Sequence, residues 1–145
     1  MKIEKLDRVC INVKNLSEAE RFFADLFGVT FEEVSGKGEF IKTITDYANC
    51  AFEQTPIKVA MSPIGLELIE TTPPTEKEGV RSFHLKVSNL EQAKAEMREK
   101  GIRLLAEVKH GGLSEAIFNP DDLHGIRLVL VEYGESNPIS AILQK

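Results

Sequence analysis

The sequence predicts an α+β fold in which two βαβββ modules pair into one curved mixed sheet around a cleft. Two observations carry this prediction. The segment VKNLSEA at residues 13–19 returns as VSNLEQA at residues 87–93, an offset of 74 positions in a chain of 145 residues. Each copy also follows a short alternating run and opens a helix-like stretch. A repeat of this kind indicates a duplicated structural unit.

The first copy predicts a strand followed by a helix. In LDRVCINV (6–13) apolar and polar residues alternate, which is the period of a strand with one buried side. The next stretch has the helical period, with Asn15 as its predicted N-cap and Gly28 as its predicted C-terminal stop. The predicted apolar stripe of this helix is Ala19, Phe22, Phe23 and Leu26.

The second copy predicts the same two elements. SFHLKV (82–87) alternates, with Ser82 and His84 on the polar side. The helix-like stretch that follows has Asn89 as its predicted N-cap and Gly101 as its predicted stop. Its apolar stripe is Leu90, Ala93 and Met97.

Strand-like segments follow each predicted helix, so each half reads βαβββ. The segments are VTFEEVS, IKVAMSP and GLELIET in the first half, with a polar stretch FIKTITDYAN between the first two, and IRLLAEVK, SEAIFNP and GIRLVLVEY in the second. We predict a first module at 1–70, a linker at 71–79, a second module at 80–133 and a C-terminal tail at 134–145. Because neither half can cover its sheet alone, the two sheets are expected to pair edge to edge.

The bulk composition is that of a globular protein. Apolar residues make up 42% of the chain, charged residues 28%, and the net charge is −5 without a basic stripe, so we predict no nucleic-acid partner. No apolar run approaches the ~18 residues of a membrane span, so we predict no membrane partner. Cys10 and Cys50 lack CxxC spacing, which favours reduced thiols and a cytoplasmic location.

Two common catalytic motifs are missing from the sequence. The glycines of GKG at 36–38 are not followed by a helix signature, so this segment does not predict a phosphate-binding loop. The sequence also has no GxSxG segment, the signature of a serine nucleophile on a strand-to-helix turn.

The chain resembles the vicinal oxygen chelate superfamily in its duplicated βαβββ pattern and in the segment NPDDLHGIRLVLVEY at 119–133. That superfamily includes glyoxalase I, bleomycin-resistance proteins, extradiol dioxygenases and methylmalonyl-CoA epimerase. The resemblance covers roughly residues 4–133, and the Pro-x-Asp-x-His-Gly turn before the last strand is most similar to the epimerase branch. It implies two modules around a cleft, and often a homodimer.

The resemblance also implies a divalent metal held by His, Glu or Gln, His and Glu. The corresponding positions in this sequence carry Arg8, Glu67, Ser82 and Val129, so only Glu67 matches. A single carboxylate does not hold a metal. We therefore predict no metal cofactor, with the Arg8 guanidinium in the metal's place and free to pair with Glu67 or an anionic ligand. A divalent metal is expected only if a non-standard site forms from His84, Glu67 and another residue.

Six polar residues are predicted to face the cleft. We assign candidate catalytic roles to Glu67 and His84, because a carboxylate and an imidazole can move protons near neutral pH. The predicted ligand-binding residues are Arg8, Asn12, Ser82 and Arg127. Glu53 lies in a segment that loosely resembles the one carrying a second base in the epimerase branch.

Two functions stay open at this point. The first is binding of a small organic ligand, such as an anionic one, with sequestration of a toxic compound as one form of that role. The alternative is an isomerase or lyase of the glyoxalase or epimerase type. It would be either metal-free, with Glu67 or His84 as the acid/base and Arg8 stabilising an oxyanion, or dependent on a non-standard divalent metal site.

Overall fold

One curled mixed sheet carries the fold, and the two halves of the chain form adjoining parts of it. The structure, a computed structural model, describes residues 1–46 and 56–144. Within these ranges the chain forms nine strands and three helices. The sheet curls into a half-barrel, and the predicted α+β, glyoxalase-like architecture is confirmed. None of the described helices is long and apolar enough to cross a membrane.

The elements follow the predicted βαβββ order with one difference: Phe40–Ile44, in the predicted polar stretch, form an additional strand in the first half. The first half contains β1 (Ile3–Asn12), α1 (Leu16–Phe27), β2 (Glu32–Glu33), β3 (Phe40–Ile44), β4 (Ile57–Ser62) and β5 (Leu66–Thr71). The second half contains β6 (Gly79–Val87), α2 (Leu90–Glu99), β7 (Leu104–His110), β8 (Leu113–Phe118) and β9 (Leu128–Glu132). A 3-10 turn, Pro120–Asp122, precedes β9, and α3 (Pro138–Leu143) comes last.

The first strand of each repeat pairs with the other, and this pairing joins the two halves of the sheet. The strand order is β2-β4-β5-β1-β6-β9-β8-β7-β3, with β1 and β6 antiparallel at the centre. Each central strand has a parallel partner from its own half, β5 for β1 and β9 for β6. One strand breaks the symmetry: β3 comes from the first half but pairs with β7 at the far edge of the second. The edge-to-edge pairing expected from the sequence is therefore present.

Both repeated helices begin and end as the sequence predicts. The side-chain oxygen of Asn15 accepts a 3.0 Å hydrogen bond from the Glu18 amide, and Asn89 caps α2 in the same way. Gly28 and Gly101 follow the two helices with φ angles of 64° and 76°, a conformation that glycine adopts without steric cost.

The two helices bury their apolar stripes to different extents. Leu90, Ala93 and Met97 of α2 are all buried, as predicted. On α1 the prediction is partly wrong, because Phe22 and Leu26 are 60% and 59% exposed. The part of α1 that packs on the sheet is its narrower stripe of Leu16, Ala19 and Phe23.

The predicted C-terminal tail folds back on its own chain. Ala141 and Ile142 of α3 are buried against a core cluster that includes Tyr133. A Cβ atom at Gly111 would lie 2.2 Å from the Ile142 carbonyl oxygen, so the turn before β8 needs a glycine there for α3 to dock. The short helix thereby closes one end of the sheet's concave face.

Candidate functional site

A buried guanidinium stands at the centre of the concave face. Arg8 of β1 is only 3% exposed. Its Nε donates to Glu67 Oε1 at 2.8 Å, its Nη1 donates to Asp7 Oδ2 at 2.7 Å, and its Nη2 donates to Glu115. Three carboxylates therefore surround one permanent cation. One of these contacts is the Arg8–Glu67 pair expected from the sequence.

The local irregularity of β1 explains why Asp7 joins this cluster. The pairing of β1 with β6 shifts register between Leu6 and Arg8, so the strict alternation of the strand is interrupted at this point. As a result Asp7 is buried beside Arg8 instead of facing solvent. The Tyr133 hydroxyl donates a hydrogen bond to the second oxygen of Asp7, and both carboxylate oxygens are thus satisfied.

His84 links a hydroxyl to a carboxylate within the same cluster. Its Nδ1 lies 3.0 Å from Glu115 Oε2, and its Nε2 lies 2.9 Å from Ser82 Oγ. Ser82 and His84 are two residues apart on β6 and therefore point to the same side of the sheet. Glu115 comes from β8, two strands away in the sheet. Both ring nitrogens of His84 are thus engaged by protein groups.

The charges in the cluster hold one another in the ionised state. Burial alone would raise the pKa of Glu115, but Arg8 and His84 outweigh this effect and lower that pKa to about 2. Arg8 lowers the pKa of Glu67 against the same burial effect. The pKa of Arg8, which burial would lower, is raised by Glu67, Glu115 and Asp7. Both glutamates are therefore acceptors only at neutral pH.

A small inner cavity opens beside these groups, and a larger outer chamber adjoins it. The inner cavity has a volume of about 70 Å³, room for a few water molecules or one polar group of a ligand. The outer chamber has a volume of about 310 Å³, and its wall includes Phe40, Ile57 and Val59. These three residues also line the inner cavity, so the two spaces share a wall.

The inner cavity is lined by more positive than negative side chains. Among the residues that the structure describes, its charged lining residues are Arg8, Lys42, Arg81, Arg127, Glu67 and Glu115. Four are cations and two are carboxylates, in a chain whose overall charge is −5. Ile69 and Val129 form part of its apolar wall.

Five of the six predicted site residues meet at this cavity. Arg8, Glu67, Ser82, His84 and Arg127 all line it. The structure thus gathers the two candidate catalytic residues and three of the four candidate ligand-binding residues, while their roles stay predictions.

Asn12 is the predicted residue that the structure places elsewhere. It lies at the end of β1, where Arg81 Nη1 donates to its Oδ1 at 3.2 Å, and it is not among the cavity-lining residues. The physical reason is strand length: Asn12 is four residues beyond Arg8, which carries it past the rim of the cavity. Glu53 and Cys50 lie outside the described residues.

Two carboxylates and one histidine of this site were not predicted from the sequence. On β8, Ala116 packs under α2, and its neighbour Glu115 therefore points to the opposite side of the sheet, toward the cleft. The strand period of SEAIF could have predicted this position for Glu115. Asp7 carried no such signal, because its burial depends on the register shift in β1. His110 ends β7, lines the cavity and donates to the Lys37 carbonyl oxygen at 2.6 Å.

The residues present do not fit the family's divalent metal. The ligating atoms of Cys10, Glu67 and His84 lie within 4.8 Å of one another. However, the Arg8 guanidinium already occupies an oxygen of Glu67, and both His84 nitrogens are engaged. Burial and Glu67 also raise the pKa of the Cys10 thiol, which disfavours the thiolate that a metal requires. A divalent ion here would stand beside a buried, permanent cation.

The curled sheet with its buried polar cavity defines a glyoxalase-like protein. The family model of the Glyoxalase/Bleomycin resistance protein/Dioxygenase superfamily matches residues 5–130, and the chain belongs to this superfamily. This confirms the family resemblance predicted from the sequence. No curated protein sequence matches the chain.

Solved structures of similar fold include several epimerases. Methylmalonyl-CoA epimerase from Mycobacterium tuberculosis has a TM-score of 0.69 at 18% identity, covering 92% of this chain and 90% of that one. A variant of Streptomyces coelicolor methylmalonyl-CoA epimerase in complex with 2-nitronate-propionyl-CoA has a TM-score of 0.68 at 21% identity, covering 92% and 100%. A hypothetical protein from Bacillus halodurans has a TM-score of 0.66 at 20% identity, covering 91% and 96%. At these identities the likeness establishes the shared fold.

Proposed function

We propose that this protein binds a small organic anion in the cleft and does so without a divalent metal. The observation that carries the proposal is the charge of the inner cavity, where four cations face two carboxylates inside an acidic protein. Two of the cations lie on either side of β6: Arg8 on β1, and Arg127 on the segment just before β9. Their placement focuses positive potential in a space with low-dielectric walls.

The shape of the cleft supports a ligand with two parts. The inner cavity suits a carboxylate or phosphate, because guanidinium groups bind planar or tetrahedral anions through paired N–H donors. The outer chamber suits an apolar body against Phe40, Ile57 and Val59. Sequestration of such a compound would need nothing more than these two contacts.

Arg8 takes the electrostatic place of the metal in this proposal. Its charge is fixed by the three carboxylates around it, so it organises Glu67 and Glu115 in the way a bound cation would. Arg127 and Lys42 then provide charge toward the ligand. The same arrangement makes the protein independent of metal supply, and we expect divalent metal in the purified protein to be far below one ion per chain.

A matched pair of small probes tests the proposal. 3-Phenylpropionate and 3-phenylpropanol have the same apolar body, and only the first carries an anion. NMR titration should show shifts of the Ile57, Val59 and Val129 methyl groups, with at least about tenfold tighter binding of the carboxylate. Arg127→Gln should abolish this preference. Arg103→Gln should preserve it, because Arg103 is exposed and does not line the inner cavity. Equal binding of the two probes, or no shift with either, contradicts the proposal.

A second function is favoured by one observation. His84 faces the cavity with a carboxylate on one side and a hydroxyl on the other, which suits an acid/base group of an isomerase or lyase. Glu67 is the weaker candidate base, because Arg8 lowers its pKa. The structural relatives prompt a direct test: methylmalonyl-CoA in D₂O should gain deuterium at its acidic carbon with the wild-type protein and not with His84→Gln. Absence of exchange above the uncatalysed rate contradicts this second function.

A homodimer and a cytoplasmic location also stay predictions. The homodimer follows from the family resemblance, since these folds often complete their cleft across a two-fold axis. Light scattering of the purified protein tests the oligomeric state directly.

A further inference from the structure

Ser82, His84 and Glu115 lie in the order of a nucleophile, a base and an orienting carboxylate. Ser82 Oγ is 2.9 Å from His84 Nε2, and His84 Nδ1 is 3.0 Å from Glu115 Oε2. Ser82 and His84 are 1% and 4% exposed, yet both line the inner cavity. A buried hydroxyl that lies on a cavity wall is protected from bulk water and still open to a small bound molecule.

The carboxylate determines which nitrogen of His84 carries the proton. With its pKa held at about 2, Glu115 can only accept a hydrogen bond from Nδ1. In the neutral imidazole, Nε2 is then the acceptor that faces the Ser82 hydroxyl. This tautomer is the one that a general base needs in order to take the proton of a serine.

We propose that Ser82 is a nucleophile activated by His84, with Glu115 as the positioning residue, and that the cavity accepts the acyl group of a small ester. The inference goes beyond the binding role proposed above. The sequence lacks the GxSxG elbow, but the arrangement is defined by geometry and by the role of each group rather than by sequence position. Here two members come from one strand and the third from a strand two places away in the sheet.

The reaction balances with water as the only co-reactant. Ser82 Oγ forms a bond to the ester carbonyl carbon while its proton moves to His84 Nε2. The bond to the alcohol oxygen then breaks, and His84 gives its proton to the departing alcohol. Water attacks the acyl-serine, loses a proton to His84, and releases a carboxylic acid as the proton returns to Ser82 Oγ.

The charge of the cavity suits the oxyanion that forms during each attack. Arg81, on β6, and Arg127, on the segment leading into β9, line the same cavity as Ser82. Positive side chains held in a dry site stabilise developing negative charge without rearranging solvent. The cation excess that supports anion binding therefore also supports this chemistry.

Covalent labelling tests the nucleophile directly. Purified full-length protein is treated with diisopropyl fluorophosphate and, separately, with the smaller methanesulfonyl fluoride, and the adduct is mapped by mass spectrometry. We expect a single adduct on Ser82 with at least one reagent, absent in Ser82→Ala and formed at least about 100-fold more slowly in His84→Gln. Ser62→Ala is the matched control, because Ser62 is also buried on a strand but does not line the cavity, and it should react like the wild type.

Two further measurements separate activation from a structural role. Imidazole ¹⁵N NMR should show the Nδ1–H tautomer of His84 in the wild type, and Glu115→Gln should disturb this signature and slow labelling by at least about tenfold. Thermal unfolding checks that each variant is folded. No Ser82 adduct with either reagent overturns the proposal, as does a labelling rate that His84→Gln leaves unchanged in a folded variant.

Discussion

Arg8 and His84 lie directly opposite each other on the two central antiparallel strands, and both bind the same oxygen, Glu115 Oε2. The permanent cation of one module and the titratable imidazole of the other are therefore joined through one carboxylate. This relationship lies where the duplicated halves meet. It connects the ion-pair cluster around Arg8 with the Ser82–His84 pair.

Removing the central cation should destabilise the protein strongly. Arg8→Gln leaves two buried carboxylates and one partly buried carboxylate without their shared partner, and we expect a loss of about 3–5 kcal/mol in the free energy of unfolding. Chemical denaturation at pH 7 measures this loss. Arg103→Gln also removes an arginine from an ion pair, but its partner Asp122 lies at the surface and the loss should be much smaller. Similar losses for the two variants would contradict the central role of Arg8.

Exchanging the cation for an imidazole should create a metal site. Arg8→His removes the charge that opposes a metal and adds a fourth ligand beside Cys10, Glu67 and His84. We expect this variant to bind Co²⁺ with visible d–d absorption, while the wild type does not. Arg8→Gln is the control, since it removes the same charge without supplying a ligand. If the two variants bind Co²⁺ equally weakly, the four positions do not converge as the structure indicates.

The protein should lose stability in acid over a defined pH range. The pKa of Glu115 is about 2 in the folded state against an ordinary value of 4.5, so its ionised form stabilises the fold above pH 4.5. This stabilisation is lost as the pH falls from about 4.5 to about 2, and Glu67 contributes in the same direction because its pKa is also lowered. The Glu115 contribution is on the order of 3 kcal/mol. Unfolding free energies measured across this range should fall more steeply for the wild type than for Glu115→Gln.

The repeated helix caps should contribute equally and independently. Asn15→Ala and Asn89→Ala each remove one side-chain hydrogen bond to an amide three residues on, and each should cost about 1 kcal/mol. Because the caps belong to different halves of the chain, the double variant should lose the sum of the two. Ser17→Ala, on the exposed side of the first turn of α1, should change stability by less than about 0.5 kcal/mol. Strong non-additivity in the double variant would contradict independent caps.

The elements that the sequence predicted well are those that local chemistry specifies. A change from strand to helix period, an asparagine cap and a terminal glycine are each defined within a few residues, and all of them recur in both halves. The exposure of Phe22 and Leu26 could not be predicted in this way. It depends on how far the sheet reaches beneath α1, which is a property of the assembled fold.

The candidate site was predicted in part, and the missing part is non-local. Arg8 and Glu67 came from aligning each position with the family's ligand set, but Glu115 is 107 residues from Arg8 in the chain. No short-range pattern connects them. Asp7 depends on a register shift that follows from the pairing of β1 with β6. Such contacts form only after the sheet has assembled.

The sequence by itself determined the duplication, the capped helices and the α+β class. Each of these is encoded in residue type and spacing. Only the tertiary structure decided that Arg8 is shared by three carboxylates, that His84 connects Ser82 to Glu115, and that Asn12 lies beyond the cavity. The reason is that strand order and register determine which side chains can form hydrogen bonds. They bring His84 Nδ1 and Glu115 Oε2, which are distant in the sequence, to 3.0 Å from each other.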